Sequence, residues 1–204
     1  IKLPLPVDTI SYYINIKKLS NQYWETTGIN YDVFGFQVQQ GTKWKDGLSQ
    51  SQINDFEKEM GFTFPESLKN FYSVMNGLNK PGINVFGSQK SHPSYSPLFY
   101  SYPEDLDLIK TMIKSAYKEN DITAGQLMTG GTPKIFPVLS HRFLVLNGNG
   151  SPVISINGND SVYWADSLSK LLGVEILDNI YNAWDFESRL NTARKIDFWL
   201  DEKQ

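Results

Sequence analysis

The sequence predicts an α+β fold, in which helices from the N-terminal and C-terminal parts of one domain pack an antiparallel meander sheet. Four short apolar runs separated by turn residues cluster between residues 135 and 164, and helical apolar spacing lies before and after them. Strands grouped together with helices outside them are typical of α+β folds and not of alternating βαβ units. At 204 residues the chain is long enough to bury a substantial core.

The N-terminal part predicts a helix followed by a strand. Apolar residues spaced through 10–24 indicate the helix, and the alternation within 31–39 indicates the strand. Residues 43–45 are expected to link this part to the helices that follow. We therefore predict an N-terminal extension, residues 1–44, packed on a main domain of residues 45–204.

Two short capped helices are predicted next. Ser49 is a favourable N-cap, and Gln52 stands where a capping box needs a side chain that returns the hydrogen bond. Gly61 is placed to end the first helix, and Pro65 suits the first turn of the second because its φ is fixed. Gly77 supplies a left-handed exit from the second helix.

Between residue 80 and the meander, the sequence predicts a loop, a helix and a second loop. Residues 80–103 are rich in Gly, Ser, Pro and Tyr, which fits a long ordered loop with one short strand at 95–102. The helix opens at residues 103–105, where acidic side chains meet the positive end of its dipole. Residues 125–133 are expected to form the second loop.

The meander itself is predicted from short apolar runs and Asn-Gly turns. His141 lies between the first two strands, and Ser167 begins a short helix after the last one. One or two closing helices are expected within residues 180–200. The predicted strands are residues 135–139, 142–146, 153–156 and 161–164.

Two segments of the chain together resemble the SUKH superfamily. The first is the two-helix unit, which carries the pattern LxxFYxxxNG at residues 68–77. The second is KIFPVLSHRFLVLNGNGSPVISINGNDSVYWADSLSKLL, residues 134–172, with its FPV strand, its His-Arg pair and its Pro-Val-Ile-Ser strand. That superfamily includes fungal Smi/Knr-type cell-wall regulators and many bacterial immunity proteins. The resemblance covers about a third of the chain and implies an α+β fold with a protein-binding function.

The resemblance implies an immunity protein, which neutralises a cognate bacterial toxin by stoichiometric binding. Two alternatives remain open: a Smi/Knr-like regulatory scaffold linked to cell-wall synthesis, and a carbohydrate-binding or small-ligand-binding module. The formal charge of −3 slightly favours a basic partner, such as a nuclease toxin, and gives no general attraction to nucleic acid or to a membrane. Zero Cys and the lack of a long apolar segment agree with a soluble, cytoplasmic protein.

The predicted partner contacts come from two places. Aromatic residues in the long loop are expected to be exposed anchors, because such side chains combine large apolar area with a polar tip. The face around the His-Arg pair of the meander is expected to supply the rest. The predicted contact residues are Tyr95, Tyr100, Tyr102, His141, Arg142, Asp160 and Tyr163.

The sequence offers little material for catalysis or for metal binding. It has no Cys, only two His, and no H-E-x-x-H, G-x-S-x-G or Walker pattern, so we expect no catalytic residue, cofactor or metal site. Residues 129–132 lack the Lys-Ser/Thr of a phosphate loop, and 157–160 lack the spacing of a calcium loop. Acidic groups at 55–59 and 104–107 are explained by helix electrostatics and solvation, or they present carboxylates to a basic toxin.

Overall fold

The computed structural model describes residues 5–85, 94–146, 151–178, 196 and 198–200. Within these residues the α+β fold is confirmed, with antiparallel sheets and with helices before and after the meander. A π-helix, Gly173–Asp178, follows the last α-helix. The α-helices are α1 (Ile10–Thr26), α2 (Gln50–Met60), α3 (Glu66–Val74), α4 (Leu106–Glu119), α5 (Ala124–Met128) and α6 (Leu168–Leu172).

The strands form three antiparallel sheets, with neighbour orders β1-β4-β5, β2-β3 and β6-β7-β8-β9. The third sheet is the predicted meander, because its strands pair in the order in which they occur along the chain. The strands are β1 (Gly35–Gln37), β2 (Trp44–Asp46), β3 (Met75–Leu78), β4 (Gly82–Val85), β5 (Ser94–Ser96), β6 (Lys134–Leu139), β7 (Arg142–Leu146), β8 (Val153–Asn157) and β9 (Asp160–Ala165).

The helix pair α2–α3 forms as its capping residues predict. The Ser49 hydroxyl accepts from the Gln52 backbone N–H, and the Gln52 side chain returns the bond to the Ser49 N–H. Gly61 ends α2 in the left-handed conformation, with φ of +72°. Pro65 stands at the N-cap of α3, and Gly77 has the predicted positive φ but lies within β3, after the helix has ended.

A cluster of aromatic rings joins this helix pair to the meander. Phe136 of β6 is fully buried, and its ring lies 5.8 Å from Phe56, 5.3 Å from Phe64 and 6.1 Å from Tyr72, all in edge-to-face geometry. Such pairs add stabilisation beyond the burial of their area. The core of the molecule therefore lies between α2, α3 and one face of the meander.

Helix α1 confirms the predicted N-terminal helix and packs on α3 and α6. Its buried Tyr13 lies 5.8 Å from the ring of Phe71 in α3. The hydroxyl of Tyr12 donates to the backbone oxygen of Ser169 in α6 over 3.0 Å. A boundary between residues 1–44 and 45–204 stays a prediction.

Two predicted connections contain regular structure. Trp44, in the predicted link 43–45, begins β2 and pairs with Leu78 of β3, because its indole is buried and donates to Ser20 Oγ. Helix α5 lies in the predicted loop 125–133, where Thr123 and Gln126 form a second capping box.

The other differences concern strand lengths and the end of the chain. The strand predicted at 31–39 is only the three residues of β1, and that predicted at 95–102 is the short β5. The predicted long loop also contains β4. The closing helices predicted within 180–200 lie outside the described residues, apart from 196 and 198–200. Among the residues described, no helix is long and apolar enough to cross a membrane.

Candidate functional site

A half-open groove of about 530 Å³ lies beside the first turn of the meander. Its walls come from the C-terminal end of α1, from β1 and the residues before it, from the β6–β7 turn, and from the π-helix. The lining includes Tyr23, Trp24, Asn30, Val33, Phe34, Phe36, Gln37, Leu98, Phe99, Ser140, His141, Arg142, Glu175 and Ile176.

The outer edge of the groove, which we call the rim, consists of Val33, Phe34 and Phe36. All three side chains are exposed, and Phe34 shows 74% of its surface to solvent. The side chain of Gln37 holds this segment in place: it accepts from the Asn30 N–H at 2.8 Å and donates to the backbone oxygens of Asn30 and Val33. The hydrogen bonds of Gln37, and not burial, therefore fix the segment that carries the exposed rim side chains.

The β6–β7 turn forms one wall of the groove and is tied to its neighbours through its backbone. The Ser140 N–H donates to the oxygen of Leu98 at 2.8 Å, and the Tyr100 hydroxyl donates to the oxygen of Ser140 at 3.0 Å. The oxygen of His141 accepts from the Ile156 N–H of β8 at 3.0 Å. These bonds fix where the His141 and Arg142 side chains begin.

Arg142 is held by an aromatic ring and by a hydroxyl. Its guanidinium carbon lies 3.5 Å from the centre of the Trp164 ring, and Nη1 donates to Ser155 Oγ at 2.8 Å. Such a cation–π contact stabilises the charge most when it is partly desolvated. The Trp164 indole N–H donates to Glu175 Oε1 at 2.7 Å, so this ring links the Arg142 cation to the Glu175 carboxylate.

The imidazole of His141 is in contact with Nη1 of Arg142 through Nε2, and its Nδ1 lies 3.3 Å from Ser140 Oγ. Burial, and after it the neighbouring Arg142 charge, together lower the pKa of His141 to about 4. At neutral pH the ring is therefore uncharged. The ring therefore adds no second positive charge to the groove, and both of its nitrogens are engaged by neighbouring side chains.

The structure separates the aromatic residues that the sequence groups together. Tyr95 lies on β5 and is 58% exposed, as expected of an anchor. Tyr100 is only 3% exposed, so the expectation of an exposed side chain is wrong for this residue. Tyr102 is half-buried because its ring stacks on Phe56 at 4.4 Å, which makes it part of the core packing.

Of the four predicted meander residues, only His141 and Arg142 line the groove. Asp160 is exposed at the start of β9, the strand at the edge of the meander, and lines a separate cleft. Tyr163 is buried, and its hydroxyl donates to the carboxylate of Asp166. Whether these residues contact a partner stays a prediction.

Sequence reasoning did not assign the rim, Trp164 or Glu175 to a site. A signal for the rim was present, because three apolar side chains in four positions exceed what one face of a short strand can bury. The contacts of Trp164 with Arg142 and with Glu175 had no such signal in the sequence.

Three acidic side chains in the groups at 55–59 and 104–107 are paired with lysines. Surface ion pairs of this kind add little stability, but they reduce the charge that a helix face presents. The ion pairs are Glu57–Lys69 at 3.2 Å, Glu59–Lys110 at 3.1 Å and Glu104–Lys45 at 3.6 Å.

Among the described residues, no group of three or more His, Cys, Asp and Glu side chains could hold a metal ion.

Comparison with known families matches residues 47–185 to the model of the SMI1 / KNR4 family (SUKH-1). This match covers more than half of the 204 residues and includes the α2–α3 pair and the meander with its His-Arg turn. No curated protein matches the chain. The chain therefore belongs to the SMI1/KNR4 family (SUKH-1), which indicates an immunity or Smi/Knr-type protein in general.

Proposed function

We propose that this chain is a protein-binding immunity protein that neutralises a cognate bacterial toxin by stoichiometric binding. The observation that carries the proposal is the rim, where Val33, Phe34 and Phe36 are displayed to solvent. Contiguous exposed apolar side chains next to a concave surface mark interaction sites. Family membership supports the proposal, since SUKH proteins are generally non-catalytic.

The partner packs against the rim and covers the mouth of the groove. Phe34 is the strongest candidate for a central anchor, because it is the most exposed rim side chain and large aromatic residues often dominate binding energy. Polar groups of the partner meet Arg142 and Glu175 at the edge of this contact. A stable complex needs roughly 800 Å² on each partner, so the interface extends beyond the rim.

We propose a basic nuclease as the first class of toxin to test. The formal charge of −3 speeds association with a basic protein, although the pairing of α2 carboxylates with lysines weakens that contribution. Such a toxin meets its substrate in the cytoplasm, and we place the complex there. The chain itself is not proposed to bind nucleic acid.

The test is co-expression with the product of the adjacent upstream gene, followed by calorimetric titration and a growth-rescue assay. We expect a one-to-one complex and rescue of growth. Phe34→Ser weakens binding by about tenfold or more, because an interface anchor loses its ring. Met128→Ser is the matched control: Met128 is 88% exposed on α5, outside the groove, and its loss leaves binding unchanged.

A second outcome would redirect the proposal. If the neighbouring gene product neither binds nor is neutralised, the immunity function is contradicted. The family relationship then favours a Smi/Knr-like regulatory scaffold linked to cell-wall synthesis. Cross-linking of the native chain and its Phe34→Ser variant in cells, followed by mass spectrometry, would identify proteins that depend on the rim.

A further inference from the structure

The interior of the groove has a different chemistry from its rim. Trp24, Phe99 and Ile176 line it and are almost fully buried, and Phe36 closes it from the side of β1. The volume of about 530 Å³ lies within the usual range for small-molecule sites. The interior therefore offers an apolar wall that a planar or branched hydrocarbon body can cover.

A positioned cation lines the same groove. The guanidinium of Arg142 stacks on Trp164, and Nη1 donates to Ser155 Oγ at 2.8 Å. A charged side chain that is already ordered loses little conformational entropy when an anion binds, which favours affinity. Arginine also presents a planar set of donors that suits carboxylate and sulfonate oxygens.

The other polar groups of the groove define the ligand further. His141 is uncharged at neutral pH, because burial and Arg142 hold its pKa at about 4, so it does not repel or attract an anion strongly. The carboxylate of Glu175 also lines the groove and accepts the Trp164 indole N–H at 2.7 Å. It opposes a second negative charge, so a ligand with a single anionic head fits better than a polyanion.

We infer that the groove is a binding site for a small amphipathic anion, with an apolar body against Trp24 and Phe36 and one carboxylate or sulfonate head at Arg142. The ligand is a free small molecule. This site goes beyond toxin neutralisation and does not depend on it, since the chain alone forms the wall and the cation.

The test uses two fluorescent probes with the same rings, anilinonaphthalenesulfonate and its uncharged analogue N-phenylnaphthylamine. We expect saturable binding of the sulfonate to the native chain at one site. Arg142→Met lowers the affinity for the sulfonate probe by about tenfold or more. It changes the affinity for the uncharged probe by less than about twofold, since only the sulfonate interacts with the Arg142 charge. Glu175→Gln keeps a hydrogen-bond acceptor for the Trp164 indole. It raises the affinity for the sulfonate probe by about threefold, because a nearby negative charge is removed.

Two further variants separate the apolar wall from the rest of the surface. Phe36→Ser weakens both probes by about fivefold, because both rest on the same wall. Tyr95→Ser is the matched aromatic control and changes neither, since Tyr95 does not line the groove. Near-ultraviolet circular dichroism and the urea midpoint of each variant check that the fold is retained.

Three results would overturn the inference. They are no binding of the sulfonate to the native chain, equal effects of Arg142→Met on both probes in a folded variant, and no gain from Glu175→Gln. If Arg142→Met does not fold, Arg142→Lys that weakens sulfonate binding by less than about tenfold and the gain from Glu175→Gln together support the site. Loss of the sulfonate in Arg142→Lys without the Glu175→Gln gain rejects it.

Discussion

The meander and the outer sheet β1-β4-β5 use strands in opposite ways. In the meander, β6 is buried from Ile135 to Leu139 and β8 from Val153 to Ile156, so these strands have both faces covered. In the outer sheet, β1 and β5 contain three residues each and expose Phe36 and Tyr95. The comparison shows that one sheet of the chain supplies buried apolar packing, whereas another carries exposed apolar side chains.

The physical basis of this difference is what covers each sheet. The meander packs against α4 and against the aromatic cluster around Phe136, and the side chains of β6 and β8 are removed from water on both faces. The rim before and within β1 is held by the hydrogen bonds of Gln37. Apolar burial stabilises the native state far more than a few exposed hydrogen bonds do.

The largest expected effect comes from truncating one aromatic ring in each sheet. Phe136→Ala should lower the free energy of unfolding by about 3–5 kcal/mol, because a fully buried ring is lost and a cavity remains. Phe36→Ala should cost about 1–2 kcal/mol, since 37% of that side chain is already exposed to water. Urea unfolding followed by circular dichroism measures both. Equal losses would break the comparison.

A second effect separates crowded from open backbone at glycines of the same conformation. Gly77 and Gly61 have φ of +71° and +72°. A Cβ at Gly77 would lie 2.8 Å from Ser101 Cβ, whereas nothing lies within 4 Å at Gly61. Gly61→Ala should cost about 1 kcal/mol through backbone strain, and Gly77→Ala about 1–3 kcal/mol more through overpacking. Thermal unfolding of the two variants side by side tests this; a larger loss for Gly61→Ala would contradict it.

A third effect concerns the turn where the meander meets the groove. His141 has a pKa of about 4 in the folded chain, mainly because of burial, against 6.5 for an ordinary histidine. Between these values the unfolded chain binds more protons, so stability is lost as the pH falls from 6.5 toward 4. The ring is only half-buried, and solvent screening limits the loss to about 1 kcal/mol.

His141→Gln removes this titration. From about pH 7.5 to about pH 4.5 the native chain should therefore lose about 1 kcal/mol more than the variant. Urea unfolding of both proteins at the two pH values measures the difference in their free energies of unfolding. The carboxylates are the same in both proteins, so their titration cancels in this difference. If the stability of the two proteins depends on pH in the same way, His141 in the folded chain is as accessible to water as the exposed rim side chains.

The smallest effect compares two helix caps of the same type. Ser49→Ala should cost about 1 kcal/mol, because the cap starts α2, whose Ile53 and Phe56 are buried in the core. Thr123→Ala should change global stability by less than about 0.5 kcal/mol, since α5 has no buried residue. Hydrogen exchange would instead show local opening of α5. A global loss in Thr123→Ala would mean that α5 contributes to the core.

Local signals predicted most of the fold because they act over a few residues. The capping box of Ser49, the left-handed Gly61 and the turn at Gly158 all appear as their spacing indicates. The same signal was present for α5, where Thr123 precedes Gln126 by three positions, and the Gly-rich composition of 125–133 obscured it. Pairing of Trp44 with Leu78 had no local signal, because it depends on a buried contact with Ser20.

The candidate site was predicted only in part, for a related reason. His141, between the first two meander strands, and Arg142, at the start of the second, were both predicted, and both line the groove. The stack of Arg142 on Trp164 requires the order and register of β7, β8 and β9. The burial of Tyr100 likewise depends on its bond to Ser140 in the turn.

By itself, the sequence determined the fold class, the family, and the approximate positions of the main helices and the meander strands, since these depend on periodicity and on the residues at caps and turns. Only the tertiary structure decided which apolar side chains are covered and which are displayed. Exposure of a side chain depends on neighbours from distant parts of the chain, and the groove is built from such neighbours: α1, the rim, the β6–β7 turn and the π-helix.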